Sequence, residues 1–415
     1  MVADGLDGGA SAFVGVPGFM FYSHDTYGLG HLRRTLAVAH ALCSRMQLSQ
    51  LIATGSPLAH SFRLPAGADY VKLPSVVKVG RDAYESRHLA MPFAAISALR
   101  REILLSVARH FRPQLLVVDN APGGLKDELV PTLRYLKSIS CRLVLGLRDV
   151  IDEPELVRPA WARDGSYDLL ERLYDRILVY GEREIYDLPV ECGFPPDAAD
   201  KTRFVGYLGR ARGRHTREEV RAGLGVGSRR LALVMVGGGQ DGYELLRTAL
   251  DAAELGQLES SFDWLLLGGP MLRDDHRRRL LPRIRGRSVV YSDFIDDVES
   301  YIQAADVVVS MGGYNSVCEL LSLGTPTLIV PRVWPRREQL IRAQALSQLG
   351  LLHWLDPSEL APERLLSEMS RLLDDPPHPE RLSMNGLAAA ADAVKELLPE
   401  AAAGAPLARA GGRHG

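Results

Sequence analysis

From Gly18 to about Leu373, short apolar or β-branched runs alternate with longer stretches whose apolar residues recur at helical spacing. Stacked βα units give this pattern, because a parallel strand covered on both faces reads as one apolar run while its crossover helix shows a single apolar stripe. The first half carries strand-like runs at 18–23 (GFMFYS), 50–54 (QLIAT), 115–120 (LLVVDN), 142–147 (RLVLGL) and 176–180 (RILVY). The second half repeats the layout at 230–236, 262–268, 288–292, 306–310 and 326–330. The expected fold is α/β, with two Rossmann-like doubly wound domains. A glycine- and arginine-rich stretch at 206–216 separates the two sets and leads into a helix predicted from Thr216. The expected division is therefore an N-terminal domain over 13–209 and a C-terminal domain over 210–378. After a proline-rich break, a helix over 379–398 is expected to return to the N-terminal domain, with disorder over 1–12 and 399–415. Open parallel sheets bind ligands beyond the carboxyl ends of their strands, so two facing sheets place the chemistry in the cleft between them.

Composition narrows the class. With 415 residues, 46% hydrophobic and 24% charged, the chain is neither disordered, collagenous, coiled-coil nor a disulfide-stapled miniprotein. Forty-nine basic against 51 acidic residues leave a formal charge of −2, which argues against nucleic acid as the main partner. Cys43, Cys141, Cys192 and Cys318 show no CxxC or metal-ligand spacing, as expected of reduced thiols in a cytoplasmic protein. No apolar run approaches the roughly 18 residues of a membrane span, and the start of the chain is unlike a signal peptide. The apolar and basic stretch 87–111 reads either as a packed Rossmann helix or as a peripheral membrane contact.

Three glycine turns carry candidate chemistry. In 305–343, Gly312 and Gly313 bare the backbone after a strand, and Asn315 or Ser316 can cap the next helix. Bare N–H groups at a helix N-terminus form an anion cradle. Glu319 follows, either as an acceptor for a ribose diol or as a first-turn acid that stabilises the dipole. In 234–246, Gly237, Gly239 and Gly242 satisfy GxGxxG, but the next strand ends in LLLGGP without the acid a dinucleotide site wants. NAD is thus disfavoured, and the loop with Gly238, Gly239 and Gln240 suits a diphosphate or simply caps a helix. In 21–42, Gly28 and Gly30 allow a tight turn and His31 opens a helix, where the dipole favours a neutral imidazole fit for general-base work. His24 and Asp25 precede that loop and could shape the turn or meet an acceptor. Arg148 and Asp149, with Asp152 and Glu153, end a strand and could do the same or form a local salt-bridge cluster.

On these residues the chain resembles the GT-B glycosyltransferases of the MurG-like group, glycosyltransferase family 28, most densely over 294–343. The resemblance implies that the loop with Gly28, Gly30 and His31 faces donor diphosphate and acceptor, and that the loop at 237–242 holds phosphate. It implies that the backbone at Phe294 and Ile295 reads the base, Glu319 binds the ribose, and Glu338 and Gln339 contact the donor sugar. Arg210 matches a place where the family often has a nucleotide-contacting arginine. The chain departs from the family in reading HDTYGLGH for the usual GGTGGH, and PRVWPRREQ at the sugar-contacting stretch. The extra Arg332, Arg336 and Arg337 suit diphosphate pairing or a carboxylated ligand. The implied activity is inverting transfer of a sugar from a nucleotide-diphosphate donor, UDP-linked in preference to dTDP or GDP, to a hydroxyl of a glycan, lipid-linked or natural-product acceptor. The chain has no DxD carboxylate pair, so metal-independent chemistry with no cofactor beyond the donor is expected. A cytoplasmic place, peripheral at the inner face of the membrane, goes with it. The alternatives are a UDP-sugar 2-epimerase of the same fold and a non-catalytic nucleotide-sugar binding protein.

Overall fold

The computed structural model describes residues 16–24, 30–80, 83–256, 262–284, 288–377 and 382–399. Among these, the N-terminal domain holds strands β1 (Gly18–Ser23), β2 (Ser49–Thr54), β3 (Ala68–Lys72), β4 (Val76–Lys78), β5 (Tyr84–Ser86), β6 (Leu115–Asp119), β7 (Arg142–Arg148), β8 (Arg176–Tyr180) and β9 (Thr202–Phe204). All but the small antiparallel β4–β5 hairpin form one parallel sheet, in the order β3-β2-β1-β6-β7-β8-β9. The C-terminal domain holds β10 (Arg230–Met235), β11 (Phe262–Leu267), β12 (Val289–Ser292), β13 (Val307–Ser310), β14 (Thr327–Ile329) and β15 (His353–Trp354), in the parallel order β12-β11-β10-β13-β14-β15. This is the two-sheet α/β architecture that the alternation of runs predicts. Apart from the small β4–β5 pair, the strands it leaves unread, β3, β9 and β15, lie at sheet edges, where one side is open and the apolar run breaks up.

Each sheet reverses its strand order once, between β1 and β6 and between β10 and β13, and at such a reversal the connections leave a crevice. His24 and Gly30, on either side of the β1 connection, line one cleft of about 920 Å³ with the turns after β6, β10 and β13. The core explains why the crevices face each other. One contiguous apolar cluster joins Phe19, Phe21 and Tyr180 of the first sheet, Leu233 and Val308 of the second, and Ala390 and Val394 of the last helix. Separate clusters cover the outer face of each sheet.

The connection between the sheets is strapped to the C-terminal domain: the N–H groups of Arg210, Gly213 and Arg214 donate to Ser322, Gln303 and Asp297 at 2.8–2.9 Å. Thr216 then caps its helix with Glu219 in a reciprocal capping box. The last helix, Gly386–Lys395, lies on the N-terminal domain, where Asp392 pairs with Arg45 and Glu396 with Arg176 at 2.8 Å. A side chain at Gly386 would press within 2.5 Å of the Tyr207 carbonyl oxygen, so only glycine fits there. The apolar and basic stretch becomes the helix Phe93–Phe111, which buries Ile96, Leu104 and Ala108 against the domain and ties Arg100 to Glu128 at 2.6 Å. The helix is thus packed on the domain along one face, while Leu89, Met91 and Leu99 of the same stretch are exposed. No helix among the described residues is long and apolar enough to cross a membrane.

A buried ion pair crosses the domain boundary. Arg342 donates from Nε and Nη2 to Asp149 at 2.7–3.0 Å, and Nη1 donates to the Gly312 carbonyl at 3.2 Å. Tyr207 adds a hydroxyl donor to Asp149 at 3.0 Å. Burial works against the Arg342 charge, but Asp149 more than compensates and raises its pKa. Removing one partner leaves an uncompensated buried charge, which costs about 3–5 kcal/mol. Arg342→Met should therefore lose about that much in urea unfolding, whereas the double change Arg342→Met with Asp149→Leu should recover most of it.

Candidate active site

The N-terminal wall of the cleft is built on the helix Gly30–Cys43 and the end of β6. His31 and Arg34 stand three residues apart and so share one helical face. That face meets Asp119, whose two carboxylate oxygens accept from Arg34 at 2.7 Å and whose Oδ2 lies 2.6 Å from His31 Nδ1. Burial alone would raise the Asp119 carboxyl, but Arg34 and His31 outweigh it and bring it down to about 2. An ionised Asp119 requires the proton of a neutral His31 on Nδ1, which leaves the Nε2 lone pair for a ligand. Arg34 Nη2 also approaches Nδ1 to 3.2 Å, a longer contact than the carboxylate makes. The His24 ring packs on His31 with centroids 4.2 Å apart. Burial first, then the neighbouring His31, drive the His24 pKa well below that of a free imidazole, so His24 stays neutral.

The C-terminal wall consists of two glycine turns. Gly239 has φ +94°, and a Cβ there would lie 2.2 Å from the Gly268 carbonyl oxygen, so the loop after β10 packs directly on neighbouring backbone. The turn after β13 has Gly312 at φ +75° and Gly313 as the residue preceding the helix Tyr314–Leu323. No side chain caps that helix. The expected cap at Asn315 or Ser316 is corrected here: both lie inside the first turn, and Asn315 Nδ2 donates across the cleft to the Gly30 carbonyl at 3.1 Å. The first N–H groups of an uncapped helix are an anion site.

Glu319 sits in the second turn of that helix and is fully buried, so it cannot be a first-turn acid that stabilises the dipole. Its Oε1 pairs with Arg33 Nη2 at 2.7 Å, and Oε2 has no protein hydrogen bond. Glu338 opens the helix Glu338–Gln348 and takes Arg332 Nη2 at 2.5 Å, with Arg148 Nη1 at 3.9 Å. Burial would raise the Glu338 carboxyl, but Arg148 and Arg332 hold it below the usual range. The Arg148 guanidinium, desolvated in this cluster, drops to about 10. Gln339 Oε1 accepts the Arg332 N–H at 2.9 Å.

The cleft thus gathers His24, Gly30, His31, Arg148, Gly238, Gly239, Gln240, Phe294, Ile295, Gly313, Asn315, Ser316, Glu319, Glu338 and Gln339. Asp25 and Gly28 lie outside the described residues. Three expected site residues do not line it. Asp149, expected at the acceptor, is buried and committed to Arg342. Gly312 faces away, its carbonyl taken by Arg342. Arg210 is tied by its backbone N–H to Ser322, and its guanidinium lies near Glu299. Of the extra arginines, Arg332 pairs with Asp241 and Glu338, Arg337 pairs with Glu153 of the N-terminal domain at 2.9 Å, and Arg336, which lines the cleft, reaches Asp152 at 3.8 Å. Sequence reasoning missed Asp119, Arg33 and Arg34. The available signal was a carboxylate ending the apolar run LLVVD, and two cations at positions 33 and 34 behind the histidine.

Residues 232–397 match the model of the glycosyltransferase family 28 C-terminal domain. The C-terminal domain is a glycosyltransferase family 28 domain. The chain is 26% identical over 348 residues to the UDP-N-acetylglucosamine--N-acetylmuramyl-(pentapeptide) pyrophosphoryl-undecaprenol N-acetylglucosamine transferase of Paenarthrobacter aurescens (strain TC1), spanning 83% of this chain and 85% of that relative. Other transferases of that name align over 21–45% of this chain and 24–52% of their own length. Among solved structures, the glycotransferase of kitacinnamycin superposes with a TM-score of 0.64 at 18% identity, covering 92% of this chain and all of that one. Acinetobacter baumannii MurG gives 0.52 at 15% identity, covering 91% and 95%. The family 28 domain therefore sits in a GT-B fold, and the chain is a distant MurG homologue.

The depressed Asp119 pKa makes a prediction with a definite sign. A carboxyl held at about 2 against an ordinary 3.8 contributes stability above pH 4, which is lost as pH falls toward 2. Asp119→Asn should be less stable than wild type by about 2 kcal/mol at pH 7. Urea unfolding at a series of pH values should show the gap closing between pH 4 and pH 2.

Proposed function

We propose that the protein is an inverting glycosyltransferase that moves a sugar from a nucleoside-diphosphate donor, UDP-linked, to an acceptor hydroxyl. The observation that carries this reading is the facing of His31 Nε2, oriented by Asp119, against an uncapped helix N-terminus flanked by two glycine turns. A base on one wall and an anion cradle on the other are what an in-line displacement at a sugar carbon needs. The family 28 domain and the UDP-N-acetylglucosamine in the name of the Paenarthrobacter relative support the donor class.

In this reading the diphosphate lies on the amides of Gly238, Gly239 and Gly313 and on the start of the Tyr314–Leu323 helix. Glu319 accepts from the ribose diol, and the base lies by Phe294 and Ile295, of which Phe294 is 57% exposed toward the cleft. Glu338 and Gln339 meet the donor sugar, held in place by Arg332 and Arg148. The acceptor approaches past His24, Gly30 and Arg148. As the acceptor oxygen attacks C1, the bond from C1 to the diphosphate oxygen breaks and His31 Nε2 takes the hydroxyl proton. Charge growing on the leaving diphosphate meets fixed N–H donors and the positive end of the helix dipole, which need no reorganisation. Asp119 keeps the imidazole in the reactive tautomer and stabilises the imidazolium that forms. A glycan, a lipid-linked sugar or a natural product each offers such a hydroxyl, and the pyrophosphoryl-undecaprenol in the relative's name favours the lipid-linked class.

His31→Ala should lower turnover by about 10²–10⁴, with the dissociation constant of the nucleoside diphosphate unchanged within twofold. Turnover comparable to wild type would remove His31 from the mechanism. Conversion of a UDP-sugar to its 2-epimer without acceptor would replace transfer by epimerisation. Glu319→Ala should act on binding instead, weakening the nucleoside diphosphate by about 1.5–3 kcal/mol in calorimetric titration.

A further inference from the structure

Arg33 lines the cleft from the N-terminal domain and reaches into the C-terminal one. Its Nη2 lies 2.7 Å from Glu319 Oε1 and 4.0 Å from Glu299 Oε1. Both acids face the Arg33 guanidinium, and the Glu299 carboxyl is pushed up, first by burial and then by the charge on Glu319, against the opposing charges of Arg33 and Arg210. The contact covers one oxygen of the carboxylate that a ribose diol would need, while the other is buried with no protein partner. The arginine and the diol compete for the same acid.

The register of the two helices shows where the cation can go. The Gly30 carbonyl meets the Asn315 side chain, and one turn further along each helix Arg33 meets Glu319. The helices Gly30–Cys43 and Tyr314–Leu323 thus run side by side in the same direction, and both begin at the cleft. A shift back by one turn, about 5.4 Å, carries the guanidinium from Glu319 to the uncapped start of the Tyr314–Leu323 helix. The Arg33 side chain is 33% exposed, unlike that of Arg34, which is locked at 2%. Its stem is flexible, and its planar fork matches phosphate oxygens.

We propose that Arg33 is a two-position cation of the donor site, paired with Glu319 in one position and with the donor's diphosphate in the other, exchanging as the ribose diol takes Glu319. This rests on the reading of the cleft as a nucleoside-diphosphate-sugar site. A nucleoside without phosphates has to displace Arg33 from Glu319 and offers the freed cation nothing. A nucleoside diphosphate gives it a new partner. Arg33 is then what makes the site discriminate diphosphates from bare nucleosides.

The test compares UDP and uridine on wild type, Arg33→Met and Arg33→Lys at pH 8, by calorimetry for UDP and ligand-observed NMR for uridine. Thermal melting serves as the folding control. Arg33→Met should bind UDP at least tenfold more weakly while binding uridine within twofold of wild type or more tightly. Arg33→Lys should fall between wild type and Arg33→Met for UDP, and it carries the comparison if Arg33→Met melts early. Unchanged UDP affinity in the variants, or equal weakening of UDP and uridine, overturns the proposal and leaves the donor site standing. If wild type binds dTDP, GDP or ADP rather than UDP, the same comparison is made with that diphosphate and its nucleoside. Wild type that binds none of the four overturns the reading of the cleft itself, a result distinct from the first.

Discussion

The site depends on a buried ion pair between the domains, the fork of Arg342 on Asp149. Each nitrogen of the Arg342 guanidinium donates, Nε and Nη2 to the Asp149 carboxylate and Nη1 to the Gly312 carbonyl, and the Tyr207 hydroxyl donates to Asp149 as well. Because Arg342 holds the Gly312 carbonyl, the same contact that joins the sheets also fixes the turn from which the Tyr314–Leu323 helix starts. Tyr314, the first residue of that helix, stacks on Tyr207 of the connecting segment at 6.1 Å and lies 5.6 Å from both Arg342 and Arg34. Anion cradle, domain interface and the Arg34 support for Asp119 are therefore one packed unit. A change in the relative placement of the domains has to break or carry along this unit.

Around that unit the charges are arranged so that each site acid is held by a cation from another segment. Asp119 at the end of β6 is held by Arg34, Glu319 by Arg33, and Glu338 by Arg332 and Arg148. A buried carboxylate left alone would take up a proton instead of staying charged. Cations from elsewhere keep Asp119 and Glu338 ionised below their ordinary range. The arginines of 332–337 belong to the same arrangement, Arg332 with Asp241 and Glu338 and Arg337 with Glu153.

What could be read in the sequence follows from how far a physical constraint reaches along the chain. Strands buried on both faces, such as β1, β6, β10 and β13, carry their signature in consecutive apolar residues, and the glycine turns follow from needing positive φ at the strand ends. Edge strands such as β9 are too short and too polar to stand out. The place of Glu319 depended on a boundary: with the cap at Asn315 or Ser316 it falls in the first turn, whereas a helix that begins at Tyr314 puts it in the second and buries it. Pairings over long separations left no local trace. Asp119 is 88 residues from His31 and Asp149 is 193 from Arg342, and nothing near either acid in sequence says which partner it will meet. The arginines and acids were visible as residue types, and their commitments came only with the fold.

Two of the helices that open at the cleft leave their positive ends unoffset, whereas Glu338–Gln348 and Val298–Ala304 carry Glu338 and Glu299 in their first turns. Neither Gly30–Cys43 nor Tyr314–Leu323 carries an acid in its first turn. By contrast, Arg217–Leu224 and Asp274–Ile284 have two each, Glu218 with Glu219 and Asp274 with Asp275. A first-turn acid offsets the dipole of its own helix, so leaving it out keeps the partial positive charge available to something else. Two such ends side by side, with Arg33 between them, make the cleft attractive to an anion although the chain as a whole is nearly neutral. The buried Glu319 sets the limit on that attraction. It draws Arg33 inward and leaves full positive character at the helix ends only when a ligand hydroxyl pair takes the arginine's place. A donor that presents a diol at one end and a diphosphate at the other satisfies both requirements together, and a simple phosphate satisfies one.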